Sequence, residues 1–131
     1  MELKSQMKKK SVMILFAHGA RDPRWAQPFQ RLQTITQTSL PEVKVELAFL
    51  EFMTPSLPDL VPQLIEDGYE KIVVAPIFLG QGGHVLRDLP MMINQLRETY
   101  PALELQQLEA AGENVLVLQA IRDYCVTSFK N

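Results

Sequence analysis

The chain of 131 residues has a single cysteine, only two histidines, and no apolar run of membrane-spanning length. One thiol, Cys125, cannot close an intrachain disulfide, so a disulfide scaffold is excluded and the residue is compatible with a reducing compartment. A bilayer span needs roughly 18 consecutive apolar residues, and nothing here approaches that, so a soluble cytoplasmic protein with no membrane partner is expected. Charge of one sign is also scarce: 13 basic against 15 acidic residues leave a net charge of -2. No general attraction to nucleic acid or to an anionic membrane follows from such a balance, so any anionic ligand must be held by local charges. Low-complexity tracts and linkers are missing as well. With histidine so rare, any histidine chemistry has to use His18, His84 or both.

What is present is ordinary globular composition, 47% hydrophobic and 21% charged, in a length that suits one domain with one core. Lys8, Lys9 and Lys10 before Val12 to Ala17 imitate a signal peptide. The apolar stretch is too short for one, however, and Ala17-His18-Gly19 ends it without a convincing cleavage pattern. Residues 1–10 are therefore expected to be a flexible solvated leader, with Met7 as an alternative start, and residues 11–131 to be the domain.

Val12 to Ala17 reads as a strand buried on both faces of a parallel sheet. Asp22-Pro23 then offers an N-cap followed by proline at the first helical position, with Trp25, Phe29, Leu32 and Ile35 at helical spacing. Val43 to Leu50 is a second strand, and Thr54-Pro55 opens a helix that Asp67-Gly68 stops. Lys71 to Leu79 is a third strand with an irregularity expected at Pro76, where a ladder donor is lost. A helix follows over 85–99, restarting at Pro90, with Met92, Leu96 and Tyr100 inward. Leu103 to Leu108 is a weak edge strand. Glu113 to Phe129 is a last helix, expected to bury Leu116, Ala120, Ile121, Tyr124 and Cys125. Strand then helix, four times, specifies an α/β fold: a single three-layer domain with a mostly parallel four-stranded sheet flanked by helices.

Ligands in such sheets bind beyond the carboxyl ends of the strands. His18 follows the first strand, Glu51 the second, and His84 lies in the glycine loop after the third, at equal intervals of 33 positions. That interval matches one strand-helix unit, which returns the chain to the same rim of the sheet. A lone histidine more often satisfies a loop backbone, and a lone glutamate is more often solvated. Two imidazoles and a carboxylate at three successive strand ends are instead a nitrogen and oxygen set suited to Co(II), Ni(II), Fe(II) or Zn(II), and they accept protons near neutral pH. Gly82 and Gly83 allow close backbone approach to a ligand, although a turn at positive φ is an equal explanation. The glycine spacing fits neither a dinucleotide fingerprint nor a P-loop. Arg21, Arg24 and Arg87 stand beside the same rim near helix starts, where they either form a carboxylate-binding border or are ordinary surface arginines.

The segments Ala17-His18-Gly19-Ala20-Arg21-Asp22-Pro23, Glu46 to Glu51 with Pro55-Ser56-Leu57, and Val74 to Gly80 through Gly83-His84 closely resemble the CbiX-type sirohydrochlorin chelatases of the class II chelatase family. The resemblance spans residues 11 to about 100 in the right order. It departs at Ala20, where the family often has serine, and in lacking a histidine-rich tail or loop. It implies ATP-independent insertion of a divalent metal, Co2+ foremost with Ni2+ or Fe2+ as alternatives, into the tetrapyrrole sirohydrochlorin during cobalamin or related tetrapyrrole biosynthesis. The metal is then a substrate, and no cofactor is permanently bound. The family's two histidines fall on His18 and His84 and its acidic partner on Glu51, as catalytic and metal-binding groups. Arg21, Arg24, Gly82, Gly83 and Arg87 would meet the tetrapyrrole. A chain with one such unit resembles the short form, which implies a homodimer with clefts facing across the interface. The main alternative is a non-catalytic metal or tetrapyrrole carrier using the same residues. A histidine phosphatase is disfavoured by Ala17, where that chemistry places arginine, and a receiver module by His18, where it needs an acidic group.

Overall fold

A computed structural model of the protein describes residues 9–80 and 82–131, with residues 83–86 described in backbone only. Strands β1 (Ser11–Ala17), β2 (Lys44–Phe49), β3 (Lys71–Pro76) and β4 (Glu104–Gln107) make one sheet, all parallel, in the order β2-β1-β3-β4. Each strand is followed by a helix: α1 (Gln27–Ser39), α2 (Leu57–Glu66), α3 (Gly83–Thr99) and α4 (Val115–Lys130). The α/β class, the four-stranded parallel sheet and the alternation of elements are as the sequence predicts.

The unbroken apolar run of β1 has a direct cause, because β1 is an inner strand whose two faces meet different cores. Val12, Ile14 and Phe16 enter the core under α2 and α3, with Leu57, Leu64, Ile72, Val74 and Ile93. Leu15 and Ala17 enter the core under α1, with Val45, Leu47, Phe49 and the half-buried Trp25 and Phe29. Phe16 also meets Phe78 edge to face, with ring centroids 6.0 Å apart, an arrangement that adds to simple burial.

Several element ends differ from the sequence reading for identifiable reasons. Asp22 does cap, accepting from the Arg24 amide, but the first turn Pro23–Ala26 is 3₁₀ and the α-helix begins at Gln27, next to Pro28. The helix expected at Thr54-Pro55 starts at Leu57: the Phe49 amide holds the Pro55 carbonyl at 2.9 Å, and Ser56 becomes the N-cap. At the other end of α2, Gly68 takes φ +93° and its amide donates to the Ile65 carbonyl, the glycine stop that Asp67-Gly68 predicts. β3 ends at Pro76, and α3 runs through Pro90 without restarting. Lys9 and Lys10, assigned by their charge to the leader, are tied to the domain: Lys9 pairs with Glu104 at 2.9 Å and the Lys10 carbonyl accepts from the Glu70 amide at 2.8 Å. Residues 1–8 of that expected leader lie outside the described residues.

Both edges of the sheet are capped by side chains. From α1, Gln37 accepts from the Val45 amide at 3.0 Å and donates to the Val43 carbonyl at 2.7 Å, and Gln33 donates to the Val45 carbonyl at 2.9 Å. From α3, Arg97 donates twice to the Leu105 carbonyl of β4, at 3.1 and 2.9 Å. Such contacts occupy groups that would otherwise accept a further strand.

The last helix overturns one expectation. Leu116, Ala120, Ile121, Tyr124 and Cys125 do not face a core; all are exposed, Leu116 at 71% and Tyr124 at 74%. The helical period was read correctly, but α4 packs on the short 3₁₀ turn Ala111–Glu113 and points away from the sheet.

Phe16→Ala should lower stability by about 3–5 kcal/mol through lost transfer energy and the cavity left beside Phe78. Urea unfolding checks this, and a loss under about 1 kcal/mol would contradict the packing described.

Candidate functional site

Parallel pairing of β1 and β2 continues past the assigned strands. The Leu50 amide donates to the Ala17 carbonyl at 2.9 Å and the Glu51 amide to the His18 carbonyl at 3.0 Å. This run-on puts the two side chains next to each other, and His18 Nε2 lies 2.9 Å from Glu51 Oε1. Both are about two-fifths exposed, with side-chain values of 43% and 40%, so the pair is held by backbone yet open to a ligand. An imidazole that donates from Nε2 to a carboxylate is fixed in orientation and keeps its lone pair on Nδ1.

The pair depends on Gly19. Its φ is +97°, and a Cβ there would sit 1.8 Å from the Glu51 carbonyl oxygen, so only glycine permits the loop after β1 to lie on the loop after β2. On the far side of Glu51 the chain makes a tight γ-turn: the Met53 amide donates to the Glu51 carbonyl at 2.8 Å, and Phe52 between them has φ +67°. An aromatic residue in this region is strained and needs the surroundings to hold it. The residue is nevertheless 57% exposed, and the Arg21 guanidinium lies over its ring, 4.8 Å from the centroid. Phe52 is the feature of this rim that sequence reasoning missed. Glu51-Phe52-Met53 contains none of the glycine, asparagine or aspartate that usually announces positive φ.

The remaining expected residues fall in different settings. Arg24 donates from Nε and Nη2 to both carboxylate oxygens of Asp22, the closest contact being 2.8 Å. The side-chain hydrogen bond from Arg24, then that from its amide, holds the Asp22 carboxyl below the usual carboxylate range. A depressed carboxyl stabilises above its unfolded pKa, and this contribution disappears as pH falls through the lowered value. Arg24 is thus engaged in capping its own turn, whereas Arg21 is engaged with Phe52.

Gly82 is the exposed N-cap of α3, and Gly83 and His84 form that helix's first turn rather than a loop. The side chain of His84 lies outside the described residues. Position 84 is one turn before Asp88 and two before Met91 on the same helical face, and Asp88, Met91 and Met92 line a cleft with Leu50 and Glu51. Arg87, exposed, belongs to the same end of α3. Of the three groups that the 33-residue interval brings to one rim, His18 and Glu51 are in contact, and α3 runs alongside Glu51. Among the described residues no three histidine, cysteine or carboxylate side chains converge on a metal-sized point; His18 and Glu51 are two.

A sequence profile of the CbiX family matches residues 12–127. The chain belongs to the CbiX family. Its relatives include proteins named sirohydrochlorin cobaltochelatase. That of Methanocaldococcus jannaschii is 30% identical over 89 residues, covering 67% of this chain and 62% of the relative, so the chain corresponds to under two thirds of that protein. That of Sulfolobus acidocaldarius is 28% identical over 116 residues, covering 85% of this chain and 86% of the relative. Among solved structures, a CbiX protein from Marinobacter aquaeolei VT8 superposes with a TM-score of 0.78 at 32% identity, over 92% of this chain and 98% of that one. That likeness covers nearly the whole of both chains, so the two share one fold. No helix among the described residues is long and apolar enough to cross a membrane.

Gly19→Ala should force the two loops apart. We expect a stability loss on the order of 1–3 kcal/mol from the clash and the positive φ together, accompanied by loss of the His18–Glu51 contact. Urea unfolding and the His18 ring resonances test both parts, and an alanine variant unchanged in each would refute the close approach.

Proposed function

We propose that this CbiX protein inserts a divalent metal, Co2+ foremost, into sirohydrochlorin without ATP, in the cytoplasm and as a homodimer. The observation that carries the reading is the His18–Glu51 hydrogen bond at the open ends of β1 and β2. The names of the relatives support the substrate, and the donor types support the metal.

Insertion exchanges two pyrrole N–H protons for one M2+, so the site has to strip water from the ion, hold it loosely and remove two protons. With Glu51 on Nε2, His18 presents Nδ1 as a neutral donor that binds Co2+, Ni2+ or Fe2+ weakly enough to release it. His84, on the first turn of α3, is the second imidazole. Glu51 orients His18 and takes up proton charge as the pyrrole nitrogens are stripped, which assigns it the acid–base part rather than that of a firm ligand. Too many firm ligands would trap the ion.

The tetrapyrrole is flat and rimmed with carboxylates. The exposed Phe52 ring with Arg21 above it supplies an apolar face and a positive charge next to Glu51, the combination such a ring requires. Arg87 extends the positive border, whereas Arg24 is taken up by Asp22, and Gly82 and Gly83 let backbone approach the macrocycle. A carrier with the same residues would bind about one equivalent per site, whereas a chelatase turns over many.

Absorbance of sirohydrochlorin with Co2+, under anaerobic conditions, separates these readings. His18→Ala and His84→Ala should each lower the insertion rate by about a hundredfold or more with both substrates saturating, leaving the far-UV spectrum unchanged; wild-type rates in either would defeat the assignment. Glu51→Gln should lose less than either histidine variant, and a wild-type rate in it would make Glu51 structural. Phe52→Ala should raise KM for the tetrapyrrole by about tenfold with little change in kcat.

A further inference from the structure

The γ-turn at Phe52 stands between two clefts. Glu51, before it, lines the cleft against α3. Phe52 itself, with Met53, Thr54 and Pro55 after it, bounds a second cleft between α1 and the outer edge of β2. This second cleft has a volume of about 590 Å3, well inside the range of small-molecule sites. Its apolar wall comes from Leu47 and Phe49 of β2 and from Met53, and Gln30 of α1 stands exposed at its side. The proton and metal chemistry at His18 and Glu51 makes no use of it.

Two charged side chains line this cleft, Arg21 and Glu46. Glu46 is paired with Lys44 at 3.2 Å. Arg21 has no carboxylate partner among the described residues: the adjacent Asp22 is taken at both oxygens by Arg24, and Arg21 lies over the Phe52 ring instead. The ring in turn stands on a fixed backbone, because the Met53 amide closes the turn on the Glu51 carbonyl. A guanidinium over an aromatic face keeps N–H donors along its own edge, and their planar fork matches a carboxylate. An apolar wall beside one such guanidinium fits a carboxylate carried on a short hydrocarbon stem. A cation would be repelled by Arg21, and a wholly apolar ligand would leave its charge unused.

We infer that this cleft anchors one corner of the tetrapyrrole, with Arg21 holding the carboxylate of a peripheral arm while the arm's stem lies against Phe52 and Met53. The anchor rests on the proposed action on sirohydrochlorin and deepens it. It adds a specificity element on the α1 side of the rim, apart from the groups that handle metal and protons. Phe52 directly follows Glu51, so a ring held at this corner has the acid–base pair beside it. One fixed corner also stops a near-symmetric ring from turning in its own plane, which alignment of the reacting nitrogens requires.

Fluorescence titration with uroporphyrin tests the anchor. This metal-free porphyrin is flat and carries acetate and propionate arms, and its binding is read without any insertion step. Three variants each lower the net charge by one: Arg21→Gln and Gln30→Glu in the cleft, and Arg31→Gln, exposed on α1 outside it. The first removes the fork and the second puts a competing carboxylate beside it. Each of these two should weaken binding by about tenfold, whereas Arg31→Gln, a screened surface charge, should change it by less than about twofold. All three should keep the wild-type far-UV spectrum. A wild type that does not bind, wild-type affinity in either cleft variant, or an equal loss in Arg31→Gln would each overturn the anchor. So would binding of succinate that depends on Arg21 while porphyrin binding does not, since the cleft would then serve a free small carboxylate. Insertion assays keep the two readings apart: insertion by wild type with indifferent cleft variants removes the anchor alone, and Arg21-dependent binding without insertion removes the chelatase reading and keeps the anchor.

Discussion

With φ at +97° and no Cβ, Gly19 allows the loop after β1 to lie against the Glu51 carbonyl, and the rest of the rim follows from this approach. The β1–β2 ladder can run one residue beyond the strands only because the loops touch. That extra pair brings the His18 imidazole to the Glu51 carboxylate. The same carbonyl then closes the γ-turn that turns Phe52 outward under Arg21. One carbonyl oxygen, approached by a glycine and bonded by the Met53 amide, thereby sets an acid–base pair and an exposed aromatic ring in fixed relation. The backbone carrying all three residues is fixed by these contacts, which is the kind of support a site needs to hold its geometry.

Most of the fold was legible because its signals are local and repeated. Four apolar runs separated by helical spacing imply strand-helix units, and parallel pairing of such units puts each strand's end on one rim. His18 and Glu51 could be placed together because both directly follow strands that turn out to be neighbours, β1 beside β2. The same logic expects His84 at that rim, and position 84 lies in the first turn of the helix after β3. What it misjudged was the local setting: a glycine-rich segment looks like a loop, yet Gly83 and His84 open α3.

The features that escaped sequence reasoning depend on tertiary contacts. Phe52 occupies a backbone region that its side chain disfavours, and the holding contacts come from residues on another element. Arg24 looked like part of a cationic border, but Asp22, two residues away, takes both ends of its guanidinium. The apolar stripe of α4 was read correctly as a stripe and incorrectly as a core face, since periodicity reveals an apolar side of a helix and not where the helix points it.

Gln33, Gln37 and Arg97 do more than satisfy the sheet's outermost backbone groups. Open strand edges would let copies of the chain pair one after another, because edge pairing has no built-in end point. Here the outward-facing groups of β2 and β4 are already engaged by side chains of α1 and α3, so joining strand to strand would first have to break those bonds. The three side chains thus act as a stop on sheet growth, set by the chain's own helices.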